Sequence, residues 1–189
     1  METIRTFICI DLPETLKTRL QTFIQELQGQ QRSTTVSWVK PQNLHLTLRF
    51  LGDVMVTRQL DLQACVERAA AIFKPFTLVA GGTGVFPNTR NARILWIGVK
   101  GADKQLIPLQ KRLEQELRAA GFGKEDKPFS PHFTIGRVRQ GNARTLAEAF
   151  SQASFADESF SVSEIIVMRS DLKPTGPIYS KMALIKLPN

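Results

Sequence analysis

The chain reads as an α+β protein of two similar lobes facing each other across a cleft. Two observations give that reading. A strand, helix, loop, strand, helix, strand order runs twice, over about residues 5–87 and 92–172. The only two histidines, His45 and His132, sit in the same local pattern 87 residues apart, one in each half. A repeat of that length is too long for a solenoid unit. At 189 residues the chain is the size of one domain in which two small lobes share a core.

Each element follows from local pattern. Alternation with β-branched and aromatic residues predicts a strand over Thr6–Leu12. Pro13 opens a helix, and Leu16, Leu20, Phe23, Ile24 and Leu27 recur at helical spacing up to a stop at Gly29. A polar loop Gln30–Thr35 leads to a short strand Val36–Lys40, a Pro41-Gln-Asn turn and a strand Leu44–Leu51 closed by Gly52. A helix over Thr57–Phe73 and a strand Phe76–Ala80 finish the first half, and Gly81-Gly82-Thr83-Gly84 reads as a turn between strands. It lacks the spacing of a nucleotide-binding loop, and no helix follows it. The second half reads as strand Arg93–Val99, helix Asp103–Ala120, loop Gly123–Ser130, strand Pro131–Val138 and helix Ala143–Ala153. Two strands, Phe160–Arg169 and Ile178–Leu187, close the chain.

Composition narrows the function. With 42% hydrophobic and 22% charged residues the chain has enough apolar side chains for a core. No apolar run approaches the ~20 residues that cross a bilayer. The start, METIRTFICIDLPE, lacks the features of a secretory signal, and two cysteines make no disulfide framework, so a cytoplasmic protein is expected. The net charge of +8 favours an anionic partner, nucleic acid being the commonest, although the basic residues are scattered and form no tail. Cys9 reads as a small hydrophobe, Trp38 as an aromatic anchor at a sheet edge, and Arg90 and Arg93 as a solvated turn.

The histidines carry the chemistry. His45-Leu46-Thr47-Leu48 and His132-Phe133-Thr134-Ile135 each alternate polar with apolar on a predicted strand. The period of two gives one surface an imidazole and a hydroxyl and buries the other. One neutral and one protonated imidazole can take a proton from water and give one to a leaving oxygen. Threonine hydroxyls can donate to non-bridging phosphate oxygens. That combination suits displacement at a phosphodiester. Two histidines and two cysteines, with no CxxC or HExxH, make a poor metal set, so neither a metal nor another cofactor is expected.

With these motifs in hand, the chain resembles the two-histidine phosphoesterase superfamily, and within it the LigT-like RNA 2′,3′-cyclic phosphodiesterases, formerly called 2′–5′ RNA ligases. The opening RTFICIDLPE and the blocks Trp38–Gly52 and Phe129–Arg137 carry the resemblance, which spans essentially the whole chain. It implies a bilobal, pseudo-two-fold α+β fold, with two antiparallel sheets lining the cleft and helices outside. It implies metal-free hydrolysis of an RNA-terminal 2′,3′-cyclic phosphate to a 2′-phosphomonoester. Carried over by position, His45 is the general acid on the departing O3′ and His132 the general base on water. Thr47 and Thr134 hold the non-bridging oxygens, Arg137 binds the phosphate, and Phe50 stacks on the terminal base. An even strand would turn Phe50 and Arg137 away from their histidines, so each needs a bulge or a strand end; Gly136 and Gly52 are the candidates. The partner is an RNA end or nucleotide bearing a cyclic phosphate; a monomer is expected. Other phosphodiesters (2′–5′-linked RNA, another cyclic phosphate, ligation in reverse) and a non-catalytic RNA-binding module remain as alternatives.

Overall fold

In the computed structural model, residues 2–30, 35–140 and 143–189 are described. Most of the expected loop Gln30–Thr35, residues 31–34, lies outside them. Strand β1 spans Thr3–Asp11, helix α1 Glu14–Gln30, β2 Thr35–Trp38 and β3 His45–Met55. Then come α2 (Gln59–Ala70), β4 (Phe76–Phe86), β5 (Ile94–Lys100) and α3 (Leu106–Ala119). The chain ends with β6 (His132–Gln140), α4 (Ala143–Gln152), β7 (Glu158–Val162), β8 (Glu164–Lys173) and β9 (Gly176–Lys186).

The strands form two antiparallel halves, β9-β8-β1-β3 and β6-β5-β4-β7, with β2 added to β6. The two expected sheets are present, but they meet at a seam. Among the described residues a single ladder pair, Leu46↔Phe133, joins β3 to β6 and makes one continuous sheet. The halves also exchange strands. β4, from the first half of the sequence, pairs with β5; β8, from the second, pairs with β1.

Helical periodicity explains the packing. Leu16, Leu20, Phe23, Ile24 and Leu27 of α1 and Leu106, Leu109, Leu113 and Leu117 of α3 all enter one core. Each such side chain contributes about 1.5–3 kcal/mol by leaving water. The same core takes Leu46 and Leu48 of β3 and Phe133 and Ile135 of β6. The helices therefore cover the face opposite the histidines. β1 is buried on both sides, which explains its unbroken apolar run: Ile8 and Ile10 join the main core, while Phe7 and Cys9 form a second cluster with Ile166, Met168 and Tyr179.

Three expectations are corrected. Gly81–Gly84 is no turn: β4 runs straight through it, with a register shift between Ala80 and Thr83 and Gly82 at φ +74°. The glycines serve a bulge rather than a reversal. The strand expected over Phe160–Arg169 is two, β7 and β8, because β7 pairs with β4 in one half while β8 pairs with β1 and β9 in the other. Gly52 does not end its strand, since β3 continues to Met55 paired with β1.

Candidate active site

The seam between the halves is built from the two histidine motifs. Leu46 and Phe133, paired across it, are the middle residues of His-Leu-Thr and His-Phe-Thr. Continuing that antiparallel register sets His45 opposite Thr134 and Thr47 opposite His132. Leu46 and Phe133 are buried in the core, so the histidines and threonines share the other face, where all four are half-buried. The local pseudo-two-fold runs through the seam.

Both imidazoles are held alike. His45 Nδ1 lies 2.7 Å from the Asn43 carbonyl, and His132 Nδ1 lies 2.6 Å from the Ser130 carbonyl. A carbonyl only accepts, so Nδ1 carries the hydrogen and donates it, and Nε2 is left to exchange a proton. Asn43 and Ser130 are themselves 87 residues apart, so the anchor repeats with the motif. Each ring also has aromatic neighbours. Phe7 and Tyr179 lie 4.8 and 5.3 Å from His45 between ring centroids; Phe86 and Trp96 lie 5.0 and 6.2 Å from His132.

A bulge follows each motif and brings the fifth residue after the histidine onto its face. On β3, Cys9 pairs with Thr47 but Ile8 pairs with Arg49, so Leu48 is the extra residue. Leu48 and Arg49 are buried in succession and Phe50 emerges 53% exposed. Phe7 touches both Phe50, at 5.6 Å, and His45. On β6, Trp96 pairs with Thr134 but Leu95 pairs with Gly136, so Ile135 is the extra residue and Arg137 emerges exposed. Ion pairs of buried Arg49 with Glu114 (2.7 Å) and Glu125 (2.8 Å) brace the first bulge. At the second, a Cβ on Gly136 would come within 2.9 Å of Val36 and 3.1 Å of Trp38, so the strand edge closes over a missing side chain.

Electrostatics link these groups. Burial pushes His45 down to about 4, and the positive charges of Arg137 and His132 push the same way, against the Asn43 carbonyl and the Asp11 carboxylate. Burial also lowers His132, again with Arg137 acting against its protonation, while the Ser130 carbonyl raises it. Both rings are therefore neutral near pH 7 in the free protein, and an anionic ligand would draw protons onto them. Among the described residues no three His, Cys, Asp or Glu side chains cluster as metal ligands. Burial pushes the Cys9 thiol up, beyond use as a nucleophile.

Sequence reasoning missed Asn43, Phe7, Tyr179, Phe86 and Trp96 as site residues. Asn43 read as turn chemistry, and Phe7 sits in an apolar run that reads as core. Tyr179, the only tyrosine, comes from a strand near the far end of the chain, and no local pattern ties it to His45.

The chain as a whole has counterparts among known proteins. The family pattern described as LigT like Phosphoesterase matches twice in succession, over residues 10–96 and 97–179. This chain belongs to the LigT-like phosphoesterase family. A relative from Methanothermobacter thermautotrophicus named RNA 2′,3′-cyclic phosphodiesterase is 34% identical, covering 97% of this chain and 99% of that one. One of the same name from Thermotoga maritima is 34% identical over 93% and 91%. Among solved structures, TT0787 of Thermus thermophilus superposes with a TM-score of 0.79 at 26% identity, covering 97% of each chain. Escherichia coli LigT complexed with 3′-AMP gives 0.78 at 23% identity over all of both chains, which speaks to the LigT fold. No helix among the described residues is long and apolar enough to cross a membrane.

Proposed function

We propose that this chain is an RNA 2′,3′-cyclic phosphodiesterase that opens the terminal ring to a 2′-phosphomonoester without a metal. The observation that carries the reading is the Leu46↔Phe133 pair, which lays both His-x-Thr motifs on one surface. The names of the full-length relatives support the substrate class.

In the reaction, water attacks phosphorus in line with the departing O3′. His132 Nε2 takes the water proton, the P–O3′ bond breaks, and His45 Nε2 gives its proton to O3′. The Thr47 and Thr134 hydroxyls donate to the non-bridging oxygens, and the Arg137 guanidinium offsets the charge gathering on them. Phe50 stacks on the terminal base. Phe50 and Arg137 stand at equivalent places, five residues beyond their histidines. That difference polarises an otherwise symmetric cleft. An aromatic beside His45 puts the nucleoside, and hence the leaving O3′, on that side. It supports His45 as acid and His132 as base. His45 is neutral in the free protein, so it takes up its proton as the phosphodiester anion binds.

The direct test is an oligonucleotide ending in a 2′,3′-cyclic phosphate, incubated with the protein in EDTA. A 2′-phosphomonoester product is expected. A 3′-phosphate product would contradict protonation of O3′, and turnover abolished by EDTA would contradict the metal-free route.

A further inference from the structure

β9 crosses the site as a strap. In sheet order it is three strands from β3, yet it reaches the residues around His45. Pro177, Tyr179 and Lys181 are spaced by two and share a face of the strand. The Pro177 carbonyl accepts from Asn43 Nδ2 at 3.0 Å. Lys181 Nζ lies 2.9 Å from Asp11 Oδ2, and Asp11 is the β1 residue paired with His45. Between these two clips, Tyr179 meets His45 with ring planes at 83° and centroids 5.3 Å apart. Phe7 packs on both rings, 4.9 Å from Tyr179. Asn43 thus acts twice, its carbonyl holding His45 and its side chain holding the strap.

We infer that Tyr179 is a positioning residue: β9 presses its ring on His45, so that the Asn43 carbonyl and the Tyr179–Phe7 wall fix one imidazole orientation and keep water from it. The kinetic consequence rests on the phosphodiesterase reading; the geometric one does not. The charged and titratable groups facing this pair are Asp11 and Cys9 on β1, Arg137 and His132 on β6, and Arg5 on β1. The Asp11 carboxylate is itself paired with Lys17 of α1 and Lys181 of β9. A neutral substitution at Tyr179 or Asn43 leaves all of these charges in place, so any change at His45 comes from lost packing.

Because the chain has two histidines, each ring can be followed by NMR during a pH titration, assigned with His132→Gln. In Tyr179→Ala the His45 midpoint should rise toward the ordinary histidine value of about 6.5 while His132 stays put. Asn43→Ala, which cuts only the strap's clip, should move His45 the same way by less. Tyr179→Phe, which keeps the ring, should titrate like the parent. On a cyclic phosphate, Tyr179→Ala should lose ~10-fold or more in kcat with KM little changed. An unmoved His45 midpoint in Tyr179→Ala overturns the inference, as does Tyr179→Phe behaving like Tyr179→Ala. Should Tyr179→Ala not fold, Asn43→Ala decides, and an unshifted His45 there overturns it. If the parent protein turns over no cyclic phosphate, the functional reading fails while the titration still decides the role of Tyr179.

Discussion

Burial among aromatic rings holds both histidines neutral in the folded protein, against the backbone carbonyls that accept their Nδ1 hydrogens and favour the protonated ring. This has a cost at low pH. An unfolded chain protonates its histidines below about 6.5, whereas the folded chain resists until about 4 at His45. Between those values the unfolded state binds more protons, so stability falls as pH drops. For His45 the loss is roughly 3 kcal/mol across the window. Chemical denaturation at pH 7 and 4.5 should show it, and His45→Gln should remove most of the slope. Asp11 is held below the usual carboxylate range by its two lysines, so its loss comes at lower pH and does not mask the effect. In kinetics, the depressed histidines place the optimum of kcat/KM on the acid side of 6.5, with a bell-shaped profile. A profile flat across pH 5–8 would contradict the acid–base pair. Arg137→Ala should cost ~10²–10³-fold in kcat/KM, and Arg137→Lys should recover only part, because an ammonium lacks the planar fork.

The elements show how far the sequence can be read. Helices α1 and α3 were legible because their apolar residues recur at helical spacing and pack into one core. The histidine strands were legible from alternation. Phe50 and Arg137 could be read as candidate site residues only through resemblance, since alternation assigns them to the buried face. The bulges at Leu48 and Ile135 reverse that assignment, and an extra residue in a ladder leaves little trace in sequence. The glycine-rich segment of β4 misled for a related reason. Its glycines answer to close neighbours as well as to a bulge: a Cβ on Gly84 would lie 2.1 Å from Trp96 Cζ2. Trp96 borders His132, so Gly84→Ala should destabilise the fold by about 1–3 kcal/mol and shift the His132 titration. Denaturation and NMR check this together; unchanged values in both would contradict the close stacking.

At the scale of the whole molecule, duplication gives two half-sites and strand exchange binds them. β4 and β8 each complete the other half's sheet, so neither histidine motif is supported by its own half alone. That arrangement fixes the seam on which the proposed chemistry depends. The exchange was hidden in sequence, because strand order along the chain does not state which strands pair. The net charge of +8 acts over the same length scale. Many cations are tied in ion pairs, among them Arg49, Arg68, Arg112 and Lys17, so a modest salt dependence is expected for RNA. KM for an oligonucleotide should rise with salt more steeply than KM for a cyclic mononucleotide. The most direct measurement compares His45→Ala and His132→Ala with the parent protein on a cyclic-phosphate-ended oligonucleotide, with folding verified by circular dichroism. Loss of turnover in both folded variants is expected from two imidazoles serving one phosphorus; hydrolysis near the parent rate by either variant would contradict it.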